Sequence, residues 1–415
     1  MVRREKLSQF LPKPYKLFNK IQHYAWGTKN ENAFIPKFLN IEIQEDVPYA
    51  ELWIGTHPKA PSEIEIDGKK ITLNEVISRY KSECLGEFVS KKFRGNFPFL
   101  LKVLSAANAL SIQTHPNKSQ AEKLHELDSK NYPDDNHKPE IAIALDSLTA
   151  IAGFRPIKEI QYNINHFPEL KHFIDNGLID KIIETKNVLE TEKYIRELYS
   201  GIMSKAGDQE NLSKCIESII ERLRKKETLT SEEFQFVNQF NLYGSDVGLF
   251  SLLFFNIIDL RPLQAIFTGA GVPHAYIKGN IVECMANSDN VVRAGLTNKF
   301  KDVKTLLEII KYEFKEYDII NAEQKADEVK YKTDAEEFEV TYYNKPADLR
   351  KKKNTKNKPS IYLVTKGTIE IKCKVKEKIK NEIFSKGESF FMPAVLGDYE
   401  IFVKEQAEYF ETGIP

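Results

Sequence analysis

The 415-residue sequence has few cysteines and no long hydrophobic run. Its four cysteines, Cys84, Cys215, Cys284 and Cys373, lie far apart and form no C-x-x-C pair. This spacing argues against a disulfide framework and against a cysteine zinc site, and it fits a reducing compartment. The longest apolar run, VGLFSLLFFNII at 247–258, is too short to span a bilayer.

The sequence also lacks net charge. Lysine plus arginine and aspartate plus glutamate each number 60, so no overall field attracts nucleic acid or an anionic membrane. Any anionic ligand must therefore be bound by a local basic pocket. The N-terminal stretch MVRREKLSQFLPKPYKLF is basic but lacks the apolar core of a signal peptide. We therefore expect a cytoplasmic monomer with neither a nucleic-acid nor a membrane partner.

The pattern of apolar residues predicts a mainly β fold with an all-α insertion. Short alternating strands such as SEIEIDGKKITL favour a sandwich or barrel, whereas LSKCIESIIERLRKK has helical spacing. Strands return at LQAIFTGAGVPHAYIKGNIVECMA, and the lysine-rich KKKNTKNK, interpreted as a solvated loop, precedes further strands. We expect a catalytic domain at 1–155 and 261–345, a helical insertion at 156–260, and a C-terminal β domain at 346–415.

The hexamer SIQTHP, residues 111–116, places polar side chains on one face of a predicted strand. Because strand side chains alternate, Ser111, Gln113 and His115 share that face. A buried Gln or His needs polar partners, and a divalent ion inside a barrel would satisfy both. Taken alone, the motif fits a hydrogen-bonded core pair or an exposed strand end better than a metal site.

A second motif, DDNHKPEIAIAL, places Lys138 and Glu140 on one face of a strand that starts at Pro139, with His137 on the other. An apolar run follows Glu140, so we expect its carboxylate to be buried or at a barrel mouth. A carboxylate in that position favours a nearby cation. A simple ion pair with Lys138 is the alternative and stays open.

The third motif is TGAGVPHAYIKGNIVECMANSDNVVRAGLTNK. Its glycines are like those of a phosphate-binding loop, but Pro273 blocks the helix that such a loop needs. We interpret them as a tight turn that delivers His274, which shares a strand face with Tyr276. Charged residues downstream lie among apolar ones, so some should face a cavity, although a solvated loop is the alternative. These charged residues are Glu283, Asp289, Arg293 and Lys299.

Together the motifs supply two imidazoles, one carboxylate and one amide oxygen, from His115, His274, Glu140 and Gln113. This set suits zinc or another first-row divalent ion. One carboxylate on a dication leaves net positive charge, so the centre could polarise a carbonyl or hydroxyl oxygen as a Lewis acid.

Several blocks of the sequence resemble type I phosphomannose isomerases, the zinc-dependent cupin enzymes that interconvert mannose 6-phosphate and fructose 6-phosphate. The blocks are HYAWGTKN, AELWIGTHPKAPSEI, PFLLKVLSAANALSIQTHPNK, YPDDNHKPEIAIAL, AGFRP, SDVGLFSLLFFN and GAGVPHAYIKGNIVECMANSDNVVRAGLTNK. The resemblance implies cupin-type jelly-roll barrels plus a helical domain, one zinc ion per chain, and an enediol reaction on a sugar phosphate that feeds GDP-mannose synthesis. The C-terminal strands match in pattern only, which implies a non-catalytic second barrel.

The resemblance also implies roles for individual residues. The implied zinc ligands are Gln113, His115, Glu140 and His274, and Arg293 is the implied catalytic arginine. The implied remaining pocket residues are Trp26, Glu51, Lys102, Ser111, Lys138, Tyr276, Glu283, Asp289 and Lys299.

For the reaction itself we expect Glu283 to be the base, because a carboxylate shielded from water can have a raised pKa, with Lys138 as second candidate. The expected phosphate anchors are Ser111, Lys102 and Lys299. We expect His57 to be structural or at the rim of the pocket.

Two other functions stay open at this point. The His and Glu ligands would also suit an iron-dependent cupin dioxygenase, although Gln113 and the lysine-rich pocket argue against it. A non-catalytic sugar-binding cupin would bind a sugar phosphate without turnover. Oxygen consumption identifies the first alternative, and absence of turnover identifies the second.

Overall fold

The computed structural model describes residues 10–322 and 327–415. The first nine residues of the basic N-terminal stretch, which we expected to lack a signal-peptide core, lie outside these ranges. Within the two described ranges, no helix combines the length and the apolar character that a membrane crossing requires.

Strands of the described chain are numbered in chain order. They are β1 Tyr15–Lys16, β2 Lys20–Gln22, β3 Glu51–Gly55, β4 Glu63–Ile66, β5 Lys69–Thr72, β6 Phe99–Ala106, β7 Ile112–Thr114, β8 Glu140–Ala144, β9 Leu148–Phe154, β10 Phe255–Leu260, β11 Ala265–Thr268, β12 His274–Ala286, β13 Val292–Gly295, β14 Glu328–Tyr331, β15 Glu339–Lys345, β16 Arg350–Asn354, β17 Ser360–Lys366, β18 Thr368–Val375, β19 Lys378–Ser385, β20 Ser389–Met392, β21 Asp398–Val403 and β22 Ala407–Gly413.

Helices of the same ranges are numbered in the same way. They are α1 Phe34–Leu39, α2 Leu73–Arg79, α3 Lys81–Lys92, α4 Lys118–Leu127, α5 Ile157–His166, α6 Asn176–Glu184, α7 Val188–Ser204, α8 Gln209–Leu223, α9 Ser231–Tyr243, α10 Ser251–Phe254 and α11 Val303–Ile309.

Strand β12 is the centre of a ten-stranded sheet. Its first residues pair with β7 and β9, and its second half pairs with β6 and β8. The change of partners follows a register irregularity between Tyr276 and Lys278. At the next residue, Gly279, φ is +136°, and an added Cβ would lie 2.3 Å from Ser147 O, so only glycine fits this bend. One strand therefore pairs with β7 and β9 through its first half and with β6 and β8 through its second half.

Helices α5 to α10 form an insertion between β9 and β10, two strands that pair with each other. The insertion is helical as predicted, but its expected end at 260 is wrong, because Phe255–Leu260 is the strand β10. The continuous apolar run at 247–258 spans the last helix and the start of this strand. Such a run has no periodicity that separates a buried helix from a buried strand.

The C-terminal strands form two further sheets, with the orders β1-β20-β17-β22-β15-β14 and β16-β21-β18-β19. The expected boundary at 345 groups residues 328–345 with the catalytic part, but β15 pairs with β22 along its whole length and β14 pairs with β15. The lysine-rich stretch is only partly a loop, since Arg350–Asn354 is the strand β16. Its backbone pairs with β21 while its side chains stay largely exposed. The high lysine content therefore suggests a loop although the segment is a strand.

Asp246 joins the helical block to the segment that follows β13. Its Oδ1 accepts hydrogen bonds from Gly248 N and Leu296 N, both at 2.7 Å. Its Oδ2 lies 2.9 Å from Lys301 Nζ. The end of the helical block is therefore fixed against the strand that carries Arg293.

We expect Gly295→Ala to destabilise the protein. The added Cβ would lie 2.3 Å from Gly248 Cα, a backbone atom that cannot move alone. Overpacking of this kind costs about 1–3 kcal/mol, so the melting temperature measured by calorimetry should fall.

The matched control is Gly201→Ala within α7, where nothing lies within 4 Å of the added Cβ. Alanine should stabilise that helix by roughly 0.5–1 kcal/mol, so its melting temperature should hold or rise. If Gly295→Ala melted at or above the parent temperature, the close contact would not constrain the fold.

Candidate active site

Three potential metal ligands, His115, Glu140 and His274, meet inside the ten-stranded sheet. One ligand atom from each lies within 4.8 Å of those from the other two, and all three side chains are buried. His115 follows β7, Glu140 begins β8 and His274 begins β12. Because β7 and β8 both pair with β12, strand pairing brings together residues that are far apart in sequence.

The alternation of β8 directs Glu140 inward. Ala142 and Ala144 share its face and pack into an interior cluster with Tyr276, whereas the isoleucines between them pack into a different cluster. Small alanine side chains on the inner face leave room for the carboxylate. The sequence EIAIA therefore sets both the strand and the direction of its charged residue.

Both imidazoles direct Nε2 at the carboxylate. His115 Nδ1 lies 2.7 Å from Asn290 O, and His274 Nδ1 lies 2.9 Å from Val272 O. A carbonyl oxygen only accepts, so each Nδ1 carries the proton, and Nε2 of the neutral ring carries the lone pair. His274 Nε2 lies 2.7 Å from Glu140 Oε1, and His115 Nε2 lies 3.6 Å from Glu140 Oε2. Within the described ranges neither Nε2 makes a hydrogen bond.

A neutral ring nitrogen that faces a carboxylate oxygen is repelled by it unless a cation lies between the two atoms. Burial and the neighbouring Lys138 lower the pKa of His115 to about 4, so this ring is neutral near pH 7. Burial would raise the pKa of Glu140, but Lys138 and His274 outweigh it and hold that pKa well below its usual range. A buried carboxylate and two imidazole nitrogens that converge on one point fit a divalent metal ion.

Gln113 lies beside this cluster. It pairs in register with His274 on one side and with Arg293 on the other, so the three side chains are neighbours across β12, β7 and β13. Gln113 and Ser111 both line the cavity next to the cluster. The strand face predicted from SIQTHP thus lies beside the cluster, where the amide oxygen of Gln113 could supply a fourth ligand.

A cavity of about 460 Å³ adjoins the cluster. The structure places the expected pocket residues in its wall: Trp26, Glu51, Lys102, Ser111, Gln113, Lys138, Tyr276, Glu283, Asp289, Arg293 and Lys299. It also places His57 there, and it adds wall residues that the sequence did not single out: Tyr24, Trp53, Lys59, Asn108, Leu242 and Tyr243. Trp53 and Lys59 lie in the block AELWIGTHPKAPSEI, which could have signalled them, whereas no motif marks Leu242 or Tyr243.

A buried lysine lies between two glutamates in one wall. Lys102 Nζ is 2.8 Å from Glu283 Oε2 and 3.5 Å from Glu51 Oε2, and Trp53 Nε1 donates to Glu51. Burial would lower the pKa of Lys102, but the two carboxylates outweigh it and raise that pKa. Burial raises the pKa of Glu283 even though Lys102 opposes the shift. Glu283 is therefore the wall carboxylate whose pKa shifts toward neutrality.

Two cations, Arg293 and Lys299, lie in another part of the wall. Burial lowers the pKa of each, and the charge of Arg293 lowers that of Lys299 further. Arg293 Nε is buried without a hydrogen-bond partner in the described part of the chain. An anionic oxygen from a ligand would satisfy this donor.

Asp289 contacts two other wall residues, His57 and Lys59. His57 Nε2 lies 3.3 Å from Asp289 Oδ1, and Lys59 Nζ lies 2.9 Å from Asp289 Oδ2. Burial would raise the pKa of Asp289, but these contacts outweigh it and lower that pKa. His57, expected to be structural or at the rim, thus orients a wall carboxylate.

The helical insertion also contributes to the wall. Leu242 and Tyr243 come from the end of α9, and Tyr243 OH donates to Ala109 O, just before the strand that carries Gln113. The insertion therefore encloses one side of the cavity.

Comparison with known proteins matches residues 15–157 to the catalytic domain of type I phosphomannose isomerase. The mannose-6-phosphate isomerase of Candida albicans is 36% identical over 383 residues, which cover 84% of this chain and 87% of the relative. The chain belongs to the type I phosphomannose isomerase family. The mannose-6-phosphate isomerase of Macaca fascicularis is 39% identical over 312 residues, 72% of this chain and 74% of that one.

Solved structures of phosphomannose isomerases have the same fold. An arginine-to-alanine mutant of the Salmonella typhimurium enzyme superposes with a TM-score of 0.84 at 29% identity, covering 97% of this chain and 99% of that one. A mannose 6-phosphate isomerase bound with zinc and yttrium gives 0.82 at 29% identity, covering 96% and 98%. The predicted family and the predicted mainly β fold with a helical domain are confirmed.

We expect Glu140→Gln to abolish tight zinc binding by this phosphomannose isomerase family member. The amide keeps the size of the side chain but removes the charge that faces two imidazole lone pairs. The loss of affinity should exceed the roughly 10–100-fold that follows removal of a partner that only orients a ligand. Zinc per chain is measured by elemental analysis after dialysis.

The control is Glu337→Gln, because Glu337 is also buried and contacts a histidine, His137, at 2.6 Å outside the cluster. This variant should retain zinc. Full zinc occupancy in Glu140→Gln would show that the three residues do not form the metal centre.

Proposed function

We propose that the protein is a zinc-dependent isomerase that interconverts mannose 6-phosphate and fructose 6-phosphate. The observation that carries the proposal is the set of opposed lone pairs at His115, Glu140 and His274 beside a cavity with cations in its wall. Membership of the phosphomannose isomerase family and the zinc-bound relative support the same reaction and the same metal. No feature of the site favours a dioxygenase.

Aldose–ketose interconversion moves one proton between C2 and C1 and another between the two oxygens, through an enediol. The site must therefore supply a base, positive charge near the oxygens, and an anchor for the phosphate. A zinc ion held by Gln113, His115, Glu140 and His274 would supply a Lewis acid that polarises those oxygens.

Glu283 is the base that we propose. It lines the cavity, and its burial raises its pKa, which makes it a stronger base than an exposed carboxylate. Lys138 stays the second candidate, but its Nζ lies 3.6 Å from Glu140 Oε2, so its ammonium is engaged with a ligand carboxylate.

Lys102 fits a different role from the phosphate anchor that we first expected. Its ammonium is buried and engaged by Glu283 and Glu51 within 3.5 Å. We therefore assign Lys102 to orienting Glu283. Phosphate binding falls to Ser111 and Lys299 in our proposal.

Arg293 is the residue that we assign to the developing negative charge. It is the register neighbour of Gln113 and therefore lies close to the metal ligands. Its guanidinium cannot serve as a base near neutral pH, but its planar fork can bind an oxyanion. The free Nε marks a donor available for that contact.

Location and oligomeric state stay predictions. All four cysteines are free and buried, which a reducing compartment such as the cytoplasm allows. We keep the cytoplasmic monomer, with a sugar phosphate as its small-molecule partner, as the proposed state.

A coupled assay tests the function directly. We expect mannose 6-phosphate to be converted, activity to be lost on removal of metal by a chelator, and zinc to restore it, with no oxygen consumed. Unphosphorylated mannose is the control and should be a very poor substrate. Binding of the sugar phosphate without turnover would favour the non-catalytic cupin, and oxygen uptake would favour the dioxygenase.

We expect Arg293→Ala to lower kcat by on the order of 100–1000-fold, as loss of one preorganised donor does, while zinc content and melting temperature stay unchanged. Arg293→Lys should recover little, because a point charge does not reproduce the planar fork. Steady-state kinetics and elemental analysis are measured on the same preparations.

The control for the arginine is Arg350→Ala, since Arg350 lies in exposed strand β16 and pairs with Glu400 at 3.1 Å. It should keep parental activity. Near-normal kcat in zinc-loaded Arg293→Ala, or a loss that only follows lost zinc, would contradict the assigned role.

A further inference from the structure

The orientation of His115 depends on one backbone carbonyl. Its Nδ1 donates to Asn290 O at 2.7 Å, which turns Nε2 toward Glu140. Asn290 belongs to a short segment between β12 and β13, residues 288–290, here called the 288–290 turn. A partner of this kind fixes the tautomer and the ring angle of a metal-binding histidine. The residues that fix the 288–290 turn therefore also fix the orientation of His115.

Asp134 binds all three residues of the 288–290 turn. Its Oδ2 accepts from Asp289 N at 2.7 Å, and its Oδ1 accepts from Ser288 Oγ at 2.8 Å. Asn290 Nδ2 donates to Asp134 O at 2.7 Å and to Asp134 Oδ1 at 3.2 Å. Both carboxylate oxygens thus face donors only, an arrangement that suits an acceptor without hydrogens.

The residues after Asp134 reinforce this contact. Asn136 N donates to Asp134 Oδ1 at 3.0 Å, and Asn136 O accepts from Ser288 Oγ at 3.1 Å and from Asn290 Nδ2 at 2.9 Å. Glu140 follows a few residues later at the start of β8. One short stretch of chain therefore supplies one metal ligand and holds the carbonyl that orients another.

We propose that Asp134 is a positioning residue of the metal centre, because its carboxylate fixes the 288–290 turn and so holds His115 with Nε2 toward the metal. The proposal rests on the zinc-dependent function proposed above. Asp134 is the first residue of the motif DDNHKPEIAIAL, but the strand-face argument did not assign it a role, and it belongs neither to the cavity wall nor to the ligand cluster.

The decisive variant is Asp134→Asn in the full-length protein. The amide has the same size, but its NH2 group must replace one of the two carboxylate oxygens. It would then face either Asp289 N–H or the donors that now bond to Oδ1, and two donors repel each other. The turn must then shift, and Asn290 O moves away from His115. We expect the zinc dissociation constant, measured by competition with a chromogenic chelator, to rise roughly 10–100-fold.

A second measurement separates positioning from general stability. In protein labelled with 15N-histidine, the hydrogen-bonded Nδ1 proton of His115 should give a downfield signal that is assigned by its loss in a His115 variant. We expect Asp134→Asn to shift or broaden that signal in zinc-loaded protein. A merely structural role would lower the melting temperature but leave both this signal and the zinc affinity unchanged.

The neighbouring residue offers a matched control. Asp135→Asn makes the same change one position later. There the carboxylate lies 3.6 Å from Arg94 and 3.5 Å from Lys118 and, within the described part of the chain, makes no hydrogen bond or ion pair with the 288–290 turn. Zinc affinity and the His115 signal should equal those of the parent.

The proposal is wrong if Asp134→Asn binds zinc within twofold of the parent, or if Asp135→Asn loses as much affinity. If Asp134→Asn fails to fold, Ser288→Ala decides the matter by removing one donor to Asp134. It should raise the zinc dissociation constant by a smaller factor, and an unchanged constant would overturn the proposal. Zinc affinity is read without turnover, so an inactive parent that binds zinc would reject the isomerase function but not this role.

Discussion

Two imidazole nitrogens and Glu140 Oε2 lie together in a buried interior, each without a hydrogen bond among the described residues, and the surrounding structure holds them there. His115 and His274 each commit Nδ1 to a backbone carbonyl, so neither ring can turn to relieve the repulsion. Relief by protonation is also blocked for His115, whose pKa lies near 4. A divalent cation would balance the arrangement, so metal binding would recover the local cost of holding these groups together.

Two buried glutamates, Glu283 in the cavity wall and Glu140 in the adjoining cluster, have pKa values that shift in opposite directions. That of Glu140 falls and that of Glu283 rises, although both lie along one central strand pairing. Their neighbours account for the difference, since Glu140 has Lys138 and His274 close by, whereas Glu283 has Lys102 together with other carboxylates. Divergent pKa values of this kind separate a permanently charged ligand from a proton-transferring group.

The faces that carry the proposed ligands could be predicted because alternation is local. A spacing of two residues in SIQTHP is enough to place Gln113 and His115 on one face, and the apolar run after Glu140 is enough to bury it. The sheet partner of residues 328–345 and the change from helix to strand at Phe255 could not be predicted, because pairing joins distant segments and a uniformly apolar run carries no period. Asp134 escaped notice for the same reason, since its partners lie about 150 residues away in sequence.

The helical insertion adds residues to the cavity wall without interrupting the strand pairing of the ten-stranded sheet. The insertion starts after β9 and ends before β10. These two strands pair directly with each other, so their hydrogen bonds form independently of the helices between them. The cost of closing so long a connection grows only slowly with its length. Because β9 also pairs with β12 at His274, the insertion begins next to a proposed metal ligand, and Asp246 ties its other end to Leu296, directly after the strand that carries Arg293. Tyr243 can therefore enclose the cavity from a block that is anchored on both sides of the site.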